Sequence, residues 1–386
     1  MNARTCNICA GALGHPVYAT AGPVSVTSLC EIRNEQIAVY FCRSCGHLKT
    51  FGFGNLEAYY DQDYKILIAS PEEDQLYFTD GKQKVFRTEH QVKCISEKVE
   101  IPKGGLVLDY GCAKSSTLRL LWQQRPDIVP HVFDVSDMYL PYWRQFVSPE
   151  NWATYEPKPE WKGRFDLITS FFALEHVAEP LQFVKTVAGL LKTGGRFYFL
   201  VPNVFENIAD LVVTDHVNHF SEESLRRLLQ EAQLEVEAID PAAHTSAWLV
   251  VAKKGVVSSG MVPSPTVTEA LRQRAEEMGA YWTKFAGEVR SFESLHKDIE
   301  NAAIYGSGFY GTFIASSLDG LAKVRCFVDL NPHRQSQTLL GKPVSSPEAM
   351  PEDVQLVYVG LNPVLAKGAM EKLAQWKDRR LIFFYP

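Results

Sequence analysis

The sequence predicts an α/β protein in three parts: a small module of short strands, a central doubly wound parallel sheet, and a second, smaller α/β unit. Three observations predict it. Two Cys-x-x-Cys pairs bracket short strand-like pieces near the start, strand-like and helix-like runs alternate from Leu106 onward, and alternation resumes after Asn301 behind a glycine-rich turn. A length of 386 residues fits two to three domains. With 46% hydrophobic and 22% charged residues the composition is that of an ordinary globular chain, which excludes disorder, collagen-like repeats and a small disulfide scaffold. The net charge of −6 gives no global reason to bind nucleic acid. No run reaches the roughly 18 to 20 apolar residues of a spanning helix, and the opening MNARTCNICAG lacks the apolar core of a secretory signal. A cytoplasmic chain without a membrane partner is expected, its eight cysteines serving as thiols or metal ligands.

Residues 1–70 read as a zinc-binding module. Cys6-Asn7-Ile8-Cys9 and Cys42-Arg43-Ser44-Cys45 each carry two thiols at the knuckle spacing, and four sulfurs complete a closed tetrahedral shell, which makes a structural zinc the expectation. The spacer of residues 10–41, 32 in all, exceeds the compact ribbon range, so a small subdomain lies between the pairs. His15 and His47 are alternative ligands.

Residues 71–253 form the central domain, led in by a helix expected over Pro71–Val99, where Leu76, Phe86, Val92 and Ile95 make a one-sided stripe. LVLDYG is a buried strand, STLRLLWQQ a helix, HVFDVS a strand, FDLITSFFAL a strand, LQFVKTVAGLL a helix and GGRFYFLVPN a strand. SEESLRRLLQEA is a helix capped by Ser221, with Ser224 one turn on, and AWLVVAKK closes the unit. A strand ending in Asp109, a turn through Gly111, Ala113 and Ser115, and a following helix are the parts that receive a nucleotide at the carboxyl edge of a Rossmann-like sheet; Asp134, at the next strand end, suits ribose hydroxyls. Asp215, His216 and His219 crowd a loop after the fifth strand, where an imidazole and an orienting carboxylate serve acid–base chemistry. His176 follows Glu175 near the sheet edge, as a structural residue or as part of the pocket.

Residues 254–300 supply a Pro/Ser-bearing linker, Lys253–Pro265, and a polar helix over about Thr268–Ile299. Residues 301–386 then repeat the strand–helix alternation on a smaller, Rossmann-like scale. Gly306-Ser307-Gly308-Phe309-Tyr310-Gly311 is a GxGxxG after a strand, with Asp329 following 18 residues beyond Gly311, the pattern that holds a dinucleotide. This unit is too short for both halves of a dinucleotide fold, so an NAD-dependent sugar oxidoreductase is a rival reading rather than the main one.

LDYGCAKSSTL, VFDVSDMYL, FDLITSFFALEHVAEP and LLKTGGRFYFLVPN resemble, in order and spacing, the strand signatures of class I S-adenosylmethionine-dependent methyltransferases. The order of modules, with YYDQDY after the cysteines and FVDLNPHRQSQTLLGKPV near the end, resembles the zinc-containing sugar C-methyltransferases that act on nucleotide-linked 4-keto-deoxysugars. That resemblance implies S-adenosylmethionine against Asp109, Gly111, Ala113, Asp134, Phe171 and Leu174, with Asp109 at its amino-acid end. It implies a sugar nucleotide between the central and last domains, near Asn203, Gly306, Gly308 and Tyr310. His216 matches the family histidine that handles the proton, so it is the expected general base, with His219 as donor and Asp215 beside it; Val213 and His219 stand where the family has tyrosines. The acceptor is a small molecule, methylated at carbon or, alternatively, at oxygen, by a monomer or homodimer. A non-catalytic protein with a degenerate methyltransferase domain is the reading that a glycine-poor turn would favour.

Overall fold

The computed structural model describes residues 4–64, 74–79, 83–255 and 264–386. Strands are numbered in chain order. In the cysteine module β1 (Pro16–Ala19), β4 (Ala38–Phe41) and β5 (Leu48–Phe51) form an antiparallel sheet, and β2 (Ser25–Val26) and β3 (Ile32–Arg33) a small hairpin. The sheet has a fourth strand from far along the chain: β13 (Asn218–His219) pairs with β5, Asn218 opposite Lys49 and His219 opposite Leu48.

The lead-in differs from expectation. Strands β6 (Leu76–Thr79) and β7 (Lys84–Phe86) pair antiparallel, and the helix, α1, starts only at Arg87 and runs to Lys98; residues 71–73 and 80–82 of the expected helix lie outside the described residues. Leu76 and Phe86, read as part of one helical stripe, lie instead opposite each other across the strand pair. The α1 stripe of Val92 and Ile95 is buried as expected.

The central sheet has seven strands in the order β10-β9-β8-β11-β12-β15-β14. Here β8 is Leu106–Tyr110, β9 Val129–Asp134, β10 Trp152–Thr154, β11 Phe165–Phe171, β12 Leu191–Pro202, β14 Leu234–Asp240 and β15 Ala247–Lys254. The strands from β10 to β12 are parallel, and β15 runs antiparallel to both β12 and β14, so the sheet is mixed at one side rather than parallel throughout. The core strands are continuous apolar runs because both faces are covered, as in LVLDY and FYFLVP. Helices α2 (Ser116–Gln124), α3 (Pro180–Leu190) and α4 (Glu222–Glu231) follow strands as predicted, and Ser221 caps α4 in a reciprocal box with Ser224.

Most of the linker over Lys253–Pro265 lies outside the described residues. The long helix α5 (Pro265–Leu295) buries Met278, Trp282, Phe285 and Val289. It packs on β1 and on α6 (Phe309–Ser317), with Phe285 stacked on Phe313 at 5.7 Å, and so joins the first module to the last. The last unit is a six-stranded sheet in the order β18-β19-β17-β16-β20-β21, made of β16 (Ala302–Tyr305), β17 (Val324–Val328), β18 (Thr338–Leu339), β19 (Lys342–Ser345), β20 (Leu356–Val359) and β21 (Ile382–Phe384). Among the described residues no helix is long and apolar enough to cross a membrane.

Candidate active site

A large cavity of about 1260 Å³ opens at the carboxyl ends of β8, β9 and β11. Its cofactor-type edge is the turn after β8. Gly111, Ala113 and Ser115 all take positive φ, at 73°, 46° and 56°, which lets the chain reverse twice before α2. A side chain at Gly111 would also press on Ala173, 3.0 Å from its Cβ. Two carboxyls hold the two non-glycine residues in that costly conformation. Asp134 accepts from the backbone N–H of Ala113 at 2.7 Å, and Asp109 accepts from the Ser115 hydroxyl at 2.6 Å and from Thr169 at 3.0 Å. Burial pushes Asp109 up to about 7 and Asp134 up to about 6. Asp109 lines the cavity and braces the turn from inside, with both oxygens engaged by hydroxyls. Phe171 lines the cavity, whereas Leu174 points into the hydrophobic core and does not. The strand end at Asp134, the reversed turn and the room beside them fit S-adenosylmethionine.

The opposite wall carries the proton chemistry. His216 reaches the cavity with Nδ1 2.5 Å from Asp210 Oδ1, and His219 Nδ1 lies 2.8 Å from the other oxygen, Oδ2. One fully buried carboxylate between two imidazoles is neutralised by a proton on one of them. Although burial opposes it, Asp210 raises His216 to about 9, and Asp210 itself is held well below the usual carboxylate range by the two histidines. Asp210 thus favours the protonated, hydrogen-bond-donating form of His216, whereas the general base expected of this residue is the neutral form. His219 does not line the cavity: it is buried, with Nε2 2.9 Å from the Thr50 hydroxyl. It holds Asp210 instead of touching an acceptor.

Asp215 orients neither of these imidazoles. It is fully buried and accepts from Ser28 N–H at 2.7 Å and Ser28 Oγ at 2.6 Å. It also faces Tyr60, whose hydroxyl lies 3.2 Å from Oδ2, 3.1 Å from its backbone oxygen, and 2.5 Å from His176 Nδ1. The phenol has one proton and two acceptors on the Asp215 side, so His176 donates from Nδ1 to Tyr60 and keeps Nε2 bare. Burial pushes His176 down to about 4. His176 is thus a neutral imidazole in the cavity wall, its ring 4.7 Å from that of His216.

Sequence reasoning missed Asp210, Tyr60, Tyr64, Ser28 and Glu175 as site residues. A lone carboxylate inside the apolar run Ile208-Ala209-Asp210-Leu211-Val212 was the one signal for Asp210. Tyr60 and Glu175 sit in stretches quoted for their resemblance, and only the fold brings them together across 115 residues.

The expected substrate residues of the last unit lie elsewhere. None of residues 301–386 lines the cavity. Gly306 and Gly311 are glycines because of packing: a Cβ on the first would sit 2.3 Å from the Gly360 oxygen, and on the second 1.9 Å from the Gly306 oxygen. Asp329, the acid reserved for a ribose, accepts from Ser307 N–H at 2.9 Å and Ser307 Oγ at 2.6 Å. Gly308 begins α6 away from the cavity, and Tyr310 packs against Trp282 at 5.3 Å. Asn203 is buried and accepts from the Phe205 N–H, just beyond Pro202, which does line the cavity.

At the cysteine quartet the two knuckles repeat one geometry. Ala10 N–H donates to Cys6 O at 3.0 Å and Gly46 N–H to Cys42 O at 2.8 Å, each through a residue of positive φ. All four thiols are free, Cys6 and Cys45 lie 3.7 Å apart, Cys9 and Cys42 3.5 Å, and all four sulfurs fall within 4.8 Å of one another. A tetrahedral zinc with Zn–S near 2.3 Å needs sulfurs about 3.8 Å apart, so the set fits. His47 is not a ligand: it is buried and bonded to Asn218 at 3.2 Å. His15 is exposed, outside the cluster.

Comparison with known proteins agrees with this geometry. Residues 87–239 match the family model described as methyltransferase domain. The chain is similar to a ubiquinone biosynthesis O-methyltransferase of Xanthomonas axonopodis pv. citri, 28% identical over 177 residues, which is 44% of this chain and 71% of that protein. A protein of the same name from Xanthomonas campestris pv. campestris is 28% identical over 201 residues, 48% of this chain and 78% of that one. Among solved structures, a SAM-dependent methyltransferase from Aquifex aeolicus aligns at 17% identity and a TM-score of 0.36, over 42% of this chain and 89% of that one. Residues 87–239 are a class I methyltransferase domain, and the chain is an S-adenosylmethionine-dependent methyltransferase.

Proposed function

We propose that this methyltransferase transfers a methyl group to the carbon beside a keto group in a nucleotide-linked deoxysugar. The observation that carries the reading is one cavity with two unlike walls: the Asp134–Gly111 edge on one side, and a neutral His176 facing a charged His216 on the other. When bound, the cofactor supplies an electrophilic methyl on a positively charged sulfur. The chain's own work is then positioning and proton transfer. His176 Nε2 takes the proton from the keto-activated carbon, Tyr60 and Asp215 hold its ring and tautomer, and His216 donates to the oxygen on which negative charge develops. The four cysteines, we propose, hold one structural zinc. The domain limits read from the sequence, 1–70, 71–253, 254–300 and 301–386, are retained as the working division.

The test pairs binding with turnover. Calorimetry should show S-adenosylhomocysteine binding, and a thymidine-diphosphate-linked 4-keto-6-deoxyhexose should gain a methyl carbon. His176→Asn should keep cofactor affinity and lower turnover by about 10² or more. Absence of cofactor binding would remove the reading. A second reading, methylation of a hydroxyl, is favoured by the names of the Xanthomonas relatives; a product methylated at oxygen, formed without proton exchange at carbon, would establish it.

A further inference from the structure

Glu175 has no part in the chemistry described so far. It sits on a short 3-10 turn, Leu174–His176, in the cavity wall and is 1% exposed. Its Oε2 is sealed from solvent and has no hydrogen-bond partner. One side-chain ligand atom each from Glu175, His176 and His216 falls within 4.8 Å of the others. The charged and titratable groups facing it are His216, Asp210 and Asp215 from the loop before and within 208–216, His176 on its own turn, Arg87 at the start of α1, and Tyr64. No Lys or Arg pairs with it among the described ion pairs.

An ionised carboxylate with one oxygen sealed and unpartnered is among the most costly groups to bury, whereas the neutral acid is tolerated. We propose that Glu175 is kept as a neutral carboxylic acid and donates its hydrogen bond to the acceptor's carbonyl oxygen, so that the site selects a carbon acid rather than a hydroxyl. This rests on the methyltransferase reading above and deepens it. Two donors, Glu175–OH and the His216 imidazolium, then face one bare acceptor, His176 Nε2. Donors at the nucleophilic atom would blunt an attacking oxygen. At a carbonyl they do the opposite, because they stabilise the enolate oxygen while the nucleophile is the neighbouring carbon. The step balances. The C–H bond breaks and its proton passes to His176, and the electron pair delocalises onto the oxygen held by Glu175 and His216. As the new C–CH₃ bond forms and the cofactor's S–CH₃ bond breaks, the carbonyl is restored with Glu175 still protonated. Burial pushes Glu175 up to about 8, in the direction this requires. The arrangement matches a site that keeps a carboxylic acid neutral at pH 7 in order to donate.

The experiment has an acceptor-independent arm and a chemical arm. Infrared difference spectra between wild type and Glu175→Gln at pH 7 should show the carbonyl stretch of a protonated carboxylic acid; an ionised-carboxylate signature overturns the proposal. With S-adenosylhomocysteine bound, the wild type should exchange the proton beside the keto group of the thymidine-diphosphate-linked 4-keto-6-deoxyhexose with deuterated solvent. Glu175→Gln, still a donor, should stay within about tenfold of that rate, and Glu175→Leu should lose about 10² or more. The alkaline limb of the exchange profile should move up by about one pH unit in Glu175→Gln. A Glu175→Gln as dead as Glu175→Leu, or a stoichiometric divalent cation lost in Glu175→Gln, makes the group a carboxylate base or ligand and overturns the proposal. Exchange unaffected by either variant also overturns it. Loss of cofactor binding or of exchange in the wild type itself, by contrast, counts against the function and not against the protonation of Glu175, which the infrared arm reads alone.

Discussion

The hydroxyl of Thr50 lies 2.9 Å from Nε2 of His219, a residue 169 positions away. That bond is the first link of a chain that continues from His219 to Asp210 and from Asp210 to His216 in the cavity wall. The β5 edge of the cysteine module thus sets the position of a charged group at the site. Thr50→Val should leave cofactor affinity unchanged, lower stability by about 1 kcal/mol, and reduce turnover several-fold. Calorimetry beside steady-state kinetics separates these outcomes, and a loss of cofactor affinity would contradict the assignment.

Removing the metal should act through the same edge. Elemental analysis is expected to give about one zinc per chain, lost in Cys45→Ser. Hydrogen exchange in that variant should rise first at residues 216–219, because β13 has its ladder partner in the cysteine module. A metal-free wild type with full protection at those residues would refute the structural zinc.

Asp210→Asn tests the charge on His216. The folded value of about 9 stands above the ordinary 6.5, so the pair's contribution to stability is full below about 6.5 and is lost as pH rises through 9. The melting temperature of the wild type should therefore fall above pH 8 to 9, and the variant should lack that fall. Turnover at pH 7 should drop by about 10² or more, since the donor becomes neutral. An unchanged alkaline limb in the variant would assign it to another group.

The acid side has its own signature. His176, His131 and His244, pushed down to about 4 by burial, and His47, pushed down to about 3, are neutral in the fold. Their contribution to stability is full above about 6.5 and is lost as pH falls toward those values. Histidine proton resonances followed by NMR should show four rings that stay neutral between pH 5 and 8.

Asp134→Ala should weaken binding of S-adenosylmethionine by roughly 1 to 3 kcal/mol, the scale of a lost hydrogen bond to a charged group. It also removes the acceptor of the Ala113 N–H, so a drop in melting temperature should accompany the weaker binding. Undiminished binding would move the ribose contact to another residue.

The central domain was legible because its buried strands are short, largely apolar runs, and β8 and β9 carry an acid at their carboxyl ends, Asp109 and Asp134. The lead-in was not. Leu76 and Phe86 fit a helical spacing by position, but their partners across the strand pair are a tertiary fact that no local pattern carries. In the site, the histidine loop could be located, while its wiring could not. Asp215 is adjacent in sequence to His216 yet serves Tyr60 and Ser28; Asp210, six positions upstream, holds the ring. The GxGxxG of the last unit shows a related ambiguity. At Gly306 and Gly311 glycine is demanded by close backbone approach, from Gly360 and from Gly306 itself, a contact indistinguishable in sequence from the approach of a ligand; the space beside Gly308 is open.

The place of β13 in the first sheet bears on how the chain is made. Synthesis proceeds from the amino terminus, so the cysteine module emerges with β1, β4 and β5 while the strand that completes its sheet is still about 170 residues from leaving the ribosome. Ser28 and Asp215 are separated by 187 residues, and their pairing closes a loop that contains β8 to β12, the parallel strands of the central sheet. Until that closure the open edge of β5 presents unpaired backbone groups. A zinc held by the four cysteines, as proposed, would be captured well before the active centre is complete, so acquisition of activity should lag behind acquisition of metal during refolding.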